Sequence, residues 1–174
     1  MFYALMIDSN GNGMGSHTYV EEPSSYPSNE IPCTEAQAKN PMAYQVANGQ
    51  VVESLPYAKT SQIALLQSAF EQAEQAPVSL TLASGITASF GMSPHDWTKI
   101  VGLYSKYVAK GTALPSGYQI PDVNGTLQAV TVTDIENLFN AGETQMTGAI
   151  AKLASLVAQV QSATTVSAVQ AIVY

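Results

Sequence analysis

The chain of 174 residues is long enough for one ordinary domain or two small ones with a buried core. Only 11% of its residues are charged, and six Lys, no Arg and 13 acidic residues give a net charge of −7. Arginine is the residue best suited to paired contacts with phosphates and bases, so this composition argues against nucleic-acid binding, and the acidity disfavours anionic membrane surfaces. The single cysteine, Cys33, excludes an intrachain disulfide and every multi-cysteine metal site.

The first residues, MFYALMID, do not have the features of an export signal. They carry no basic start, and Asp8 ends the apolar run too early for a signal peptide. No stretch reaches the ~18 apolar residues that a membrane-spanning helix needs. We therefore expect synthesis in the cytoplasm and no membrane insertion.

Residues 1–77 predict β-hairpins followed by a helix. Residues 2–7 have strand composition, and residues 17–21 are their expected partner after a Gly- and Asn-rich turn. Asn48-Gly49 is the strongest hairpin signal in the chain, because Asn and Gly tolerate the positive φ angles of a type I′ turn.

Three further elements are expected before residue 77. The three prolines of residues 23–32 predict a loop, and Thr34 is the expected N-cap of a short helix to Lys39. Apolar residues at helical spacing predict a helix over 61–76, which Pro77 ends.

Residues 78–92 and 117–132 each predict a hairpin, with a helix between them. The turns are Ser84-Gly85 and Asn124-Gly125. Ser93 as N-cap, with Pro94 and Asp96 in the first turn, begins the helix, and Gly111 closes it.

A long helix is expected to follow. Thr133 and Glu136 have the spacing of a capping box, and the apolar pattern continues to about Val160. Gly142 and Gly148 interrupt it and predict a kink or break. Thr164 or Thr165 is expected to cap a last short helix that ends at Tyr174.

This element order predicts an α+β protein in two parts. Residues 1–77 are expected to form a β-rich attachment region ending in a helix. Residues 78–174 are expected to form a hairpin–helix–hairpin–long helix module. The tail of the module is uncharged and rich in Ala, Thr and Val.

Asp8, Asn10 and Asn12 are the candidate metal ligands. Asp8 to Gly13 matches the opening D-x-N-x-N-G of a calcium-binding loop, whose oxygens surround a hard cation. The twelfth position is Tyr19 instead of Glu, and no flanking helix is predicted. A hairpin turn of residues that tolerate positive φ explains the same sequence, and we favour it.

The other chemically interesting residues do not form a recognisable catalytic pattern. His95 and Asp96 fall in the first turn of a helix, His17 lies in a strand, and Cys33 lies between Pro32 and Thr34. We therefore expect no catalytic residue, no cofactor and no enzyme activity. The nine tyrosines suit interfaces, and a carbohydrate-binding platform is a second interpretation of them.

The sequence resembles small proteins encoded near phage and prophage tail-fibre genes. These begin with a strand, a D-x-N-G type turn, a proline-rich loop and an N-G hairpin, and several carry a C-terminal module of undefined function. The resemblance covers residues 78–174 best. It includes the C-terminal motif formed here by Ala163-Thr164-Thr165-Val166 and Val169-Gln170-Ala171.

This resemblance implies a non-enzymatic structural protein of the virion tail, in a tail fibre or baseplate, with an attachment or assembly role. Its expected partners are other tail or fibre proteins, and a homotrimer is expected by analogy with fibres. An assembly chaperone that is absent from the mature virion is the first alternative. A calcium-dependent or carbohydrate-binding adhesin is the second.

Overall fold

The structure is a computed structural model that describes all residues from Met1 to Tyr174. The fold is α+β, as predicted. The strands are β1 (Phe2–Ile7), β2 (Gly13–Tyr19), β3 (Glu30–Cys33), β4 (Tyr44–Ala47), β5 (Gln50–Glu53), β6 (Val78–Thr81), β7 (Thr87–Phe90), β8 (Gln119–Pro121) and β9 (Leu127–Ala129). The helices are α1 (Glu35–Lys39), α2 (Leu55–Glu74), α3 (Pro94–Leu103), α4 (Val132–Ser162) and α5 (Val166–Gln170).

Two compact units share the chain. The first consists of residues 1–66 and 156–173, and the second of residues 67–155 with Tyr174. The boundary therefore lies inside α2 instead of at Pro77, and residues 156–173 belong to the first unit. Contacts of α2 explain this difference, because Lys59 Nζ donates to Gln161 O (2.7 Å) and Gln62 Nε2 donates to Ile172 O (2.6 Å).

The first unit contains an antiparallel three-stranded sheet in the order β2–β1–β3. Its central strand is the most buried, with Ala4 and Leu5 inaccessible to solvent. The hairpin of β4 and β5 turns at Asn48 (φ 52°) and Gly49 (φ 75°), which confirms the type I′ prediction. The Thr34 cap of α1 is also confirmed, with Gln37 completing a capping box.

Strand β3 was not predicted, because three prolines marked residues 23–32 as a loop. The structure pairs Glu30–Cys33 with β1, and Pro32 lies opposite Ala4 at the outer side of the sheet. Proline has no N–H to donate, so an edge strand tolerates it where a central strand does not. The predicted partner of β1 was right, but β2 spans Gly13–Tyr19 instead of 17–21.

The core of the second unit lies between the two hairpins and the helices α3 and α4. Phe90, Ile135 and Leu138 are almost fully buried within it. Phe139 stacks on the ring of Tyr104 at 4.0 Å and on that of Trp97 at 5.4 Å between centroids. This aromatic stack joins α3 and the segment after it to α4.

Helix α4 is continuous over 31 residues, so it does not break at Gly142 or Gly148. Gly142 is instead a point of close packing, because a Cβ there would lie 2.5 Å from Cζ3 of Trp97. The predicted cap was also misplaced by two residues. Thr131 Oγ1 accepts from Asp134 N (3.2 Å), and Asp134 Oδ2 accepts from Thr131 N (2.8 Å).

Helix α3 begins as predicted, with Ser93 Oγ accepting from Asp96 N and Pro94 in the first turn. The helix then widens into a π-helical segment over Tyr104–Ala109 and ends at Gly111 (φ 63°). The wider turn was not predictable, because the 3.6-residue apolar period fits both forms in a short window. The start of α2 was predicted six residues late. The helix begins at Leu55, because Ser54 caps it and Pro56 is tolerated in its first turn.

Candidate functional site

The hairpin of β6 and β7 buries one side and presents hydroxyl groups on the other. Val78, Ala88 and Phe90 alternate into the core. On the outer side, Ser79 Oγ and Ser89 Oγ lie 2.7 Å apart, and the Oγ1 atoms of the Thr81–Thr87 pair lie 3.0 Å apart. Within each pair one hydroxyl donates to the other, so this side of the hairpin carries polar groups without a charge.

The hairpin of β8 and β9 is joined to β7 by a hydrogen bond from Val123 N to Ser89 O (2.9 Å). Its only charged side chain, Asp122, is used within its own turn. Asp122 Oδ1 accepts from Asn124 N and Thr126 N, and Oδ2 accepts from Gln128 Nε2. The carboxylate therefore fixes the turn.

Together these hairpins form what we call the hairpin surface. It consists of the outer hydroxyl pairs and of apolar side chains at the two turns, namely Ser79, Thr81, Ile86, Thr87, Ser89, Val123 and Leu127. Ile86 is 53% exposed and Leu127 is 58% exposed. Residues 78–92 contain no charged residue. Each hairpin is a two-stranded sheet, so each of its strands is an edge strand.

Asp8 and Asn12 are held within a turn of the same construction as that of Asp122. Asp8 Oδ1 accepts from Asn10 N (2.8 Å) and Asn12 N (2.9 Å), and Oδ2 accepts from Asn12 Nδ2 (2.9 Å). Hydrogen bonds from the Asn12 side chain and backbone hold the pKa of Asp8 below its usual value. The repeated D-x-N-G turn supports the hairpin interpretation of this motif.

A polar cluster in the first unit was not predicted. His17 on β2 and Glu30 on β3 meet across β1, with Nδ1 and Oε1 2.6 Å apart, and the Tyr19 hydroxyl donates to Glu30 Oε2. Ala4 lies opposite His17, so its small side chain leaves room for the contact. The hydrogen bond to Glu30 raises the pKa of Tyr19. The cluster forms only when β3 pairs with β1, so no local signal in the sequence could have predicted it.

Cys33, His95 and Asp96, the other candidate catalytic residues, lie in positions that do not bring them together. Cys33 lies opposite Tyr3, on the face of the sheet away from His17, and burial raises the pKa of its thiol. His95 is exposed in the first turn of α3, and Asp96 accepts from Ser93 Oγ (2.6 Å). No group of three or more His, Cys, Asp or Glu side chains is placed to hold a metal ion.

The tyrosines do not form one platform. Tyr19 makes an edge contact with Tyr26, Tyr107 lies against Tyr118, and Tyr104 stacks on Phe139. These five tyrosines pack against neighbouring aromatic rings.

Comparisons with family models, curated proteins and solved structures find no match to this chain. Among its helices, none combines the length and apolarity needed to cross a bilayer.

Proposed function

We propose that this chain is a non-enzymatic structural protein of a bacteriophage tail, a tail-fibre or baseplate component with an attachment or assembly role. In this proposal it is made in the host cytoplasm, is incorporated into the virion tail and contacts other tail or fibre proteins. The observation that carries the proposal is the uncharged hairpin surface.

Strand edges that remain in water are usually protected by lysine, by proline or by a covering element, because their unpaired backbone groups recruit other strands. Pro121 protects part of β8, and Val123 N occupies the Ser89 carbonyl on the edge of β7, but neither hairpin has a lysine. The turns add exposed Ile86, Val123 and Leu127. Such a surface suits close, lasting contact with a neighbouring protein through apolar and hydroxyl groups.

The sequence resemblance supports the tail as the location of that neighbour. The C-terminal motif of the resemblance, residues 163–171, contains α5, where Thr165 Oγ1 accepts from Ala168 N and Val169 is fully buried. The resembling residues therefore have a folding role in the first unit, and the resemblance itself points to tail-associated proteins.

Quantitative mass spectrometry of purified particles tests the proposal. We expect the chain at a fixed ratio to the tail proteins in particles washed at high salt. Its presence in infected cells but absence from particles, with insoluble fibres after its deletion, would establish the chaperone alternative and reject the proposal.

Charge variants test whether the hairpin surface makes the contact. Ile86→Lys and Leu127→Lys place a charge at exposed positions, so we expect both variants to fold and to be lost from particles. Thr147→Lys, at an exposed position of α4, is the matched control and should be incorporated normally. Equal incorporation of all three variants would rule out the hairpin surface as the site of contact.

A further inference from the structure

A cleft in the second unit has the size and lining of a small-molecule site. Its volume is about 520 Å³, within the usual range of about 300–1,000 Å³ for such sites. It lies beside β8, the end of β7, α3 and the π-helical segment. Phe90, Ile100 and Leu138 give it a buried apolar wall.

Two of the six lysines of this acidic chain line the cleft. Lys99 Nζ lies 4.0 Å from Asp96 Oδ1, at the limit of an ion pair. Lys106 has no carboxylate partner, and its ammonium group lies 4.9 Å from the centre of the Tyr107 ring. A cation that rests on an aromatic ring remains available to an anion.

Tyr107 provides a second polar group at the cleft. Its residue is only 6% exposed and lines the cleft, yet its hydroxyl donates to no group of the chain. No buried polar side-chain atom is without a hydrogen-bond partner, so this hydroxyl keeps access to the outside of the protein. Both Lys106 and Tyr107 belong to the π-helical segment, a rare form that occurs often at functional sites.

We propose that this cleft binds a small molecule with an apolar body and one carboxylate. The apolar body packs against Phe90, Ile100 and Leu138. The carboxylate pairs with the Lys106 ammonium and accepts from the Tyr107 hydroxyl. A charge-assisted hydrogen bond supplies the selectivity for an acid over a neutral molecule of the same shape. The site does not depend on the proposed function, because the hairpin surface contributes none of these contacts.

Titration of the full chain by two-dimensional amide NMR tests the proposal with two matched probes, 2-naphthoate and the neutral 2-naphthalenemethanol. We expect 2-naphthoate to shift amides of the cleft and to bind about tenfold more tightly than the alcohol. Equal binding of the two probes, or shifts outside the cleft, would overturn the proposal.

Three variants separate charge from shape. Lys106→Gln should weaken 2-naphthoate about tenfold and leave the alcohol unchanged. Lys110→Gln, a lysine near the cleft but outside its lining, should change neither. Gly102→Leu should block both probes without unfolding the protein, because Gly102 lines the cleft and no atom lies within 4 Å of a Cβ there. Undiminished naphthoate binding by Lys106→Gln or by Gly102→Leu would contradict the assigned site.

Discussion

The two glycines of α4 allow the packing of the second unit to be tested with one substitution at two positions. Replacing glycine by alanine inside a helix stabilises it by about 0.5–1 kcal/mol when the new methyl group meets nothing. No atom lies within 4 Å of a Cβ at Gly148. We therefore expect Gly148→Ala to raise the free energy of unfolding by about 0.5–1 kcal/mol.

Gly142→Ala gains the same helix propensity but meets a packed ring. The added Cβ would lie 2.5 Å from Trp97 Cζ3 and 3.2 Å from Met92 Sδ. The indole must move, although it is stacked on Phe139. Overpacking of this kind costs about 1–3 kcal/mol, so the variant should be less stable than Gly148→Ala by that amount. For a chain of this length, a difference of 2 kcal/mol corresponds to about 4–8 °C in melting temperature.

Urea and thermal unfolding measure both variants, and fluorescence reports the cause. Trp97 is the only tryptophan, so its emission should change in Gly142→Ala and stay unchanged in Gly148→Ala. Gly142→Ala with the stability of Gly148→Ala and an unaltered emission spectrum would show that Trp97 does not pack on α4 as described.

Three further predictions concern other contacts. Asp134→Asn should lower the free energy of unfolding by about 2 kcal/mol at pH 7, because the buried carboxylate accepts from Ala83 N and from Thr131 N and Oγ1. Burial would raise the pKa of Asp134, but the Thr131 and Ala83 hydrogen bonds outweigh it and the pKa is lowered, so its contribution is present above pH 3.8 and lost as the pH falls further. Urea unfolding at pH 7 and at pH 3 should show the wild-type advantage shrinking in acid. Ala4→Leu should destabilise the protein by about 1–3 kcal/mol and separate His17 from Glu30, which a change in the NMR chemical shifts of the His17 ring detects. Gly13→Ala should prevent normal folding by circular dichroism, since its Cβ would lie 2.0 Å from Pro41 O.

Each of these three has an outcome that contradicts it. An equal Asp134→Asn effect at both pH values would mean that the ionised carboxylate is not what stabilises the start of α4. Unchanged chemical shifts of the His17 ring in Ala4→Leu would place the His17–Glu30 contact away from Ala4. Native spectra for Gly13→Ala would show that β2 and Pro41 are farther apart than described.

Local chemistry was predictable from the sequence, and long-range pairing was not. The Asn48-Gly49 turn and the Ser93 cap depend on neighbouring residues alone, and both were predicted correctly. Strand β3 depends on an available edge of β1, which outweighs the local effect of its prolines. Gly142 suggested a kink because glycine weakens a helix. Its packing role was not visible locally, because its partner Trp97 is 45 residues away along the chain.

The candidate sites divide in the same way. The absence of charge in residues 78–92 and the D-x-N-G turns are visible in the sequence. The cleft is not, because the π-helical segment alters the position of Lys106 relative to Lys99 and the opposite wall comes from β8. Tertiary structure is needed to bring an ammonium group, a phenol and an apolar wall together.

Electron microscopy of particles that carry an epitope tag on this chain tests the tail assignment most directly. With gold-labelled antibody, we expect label at one fixed position on the tail or its fibres in most particles. Unlabelled particles from cells that contain the tagged, folded chain would contradict it.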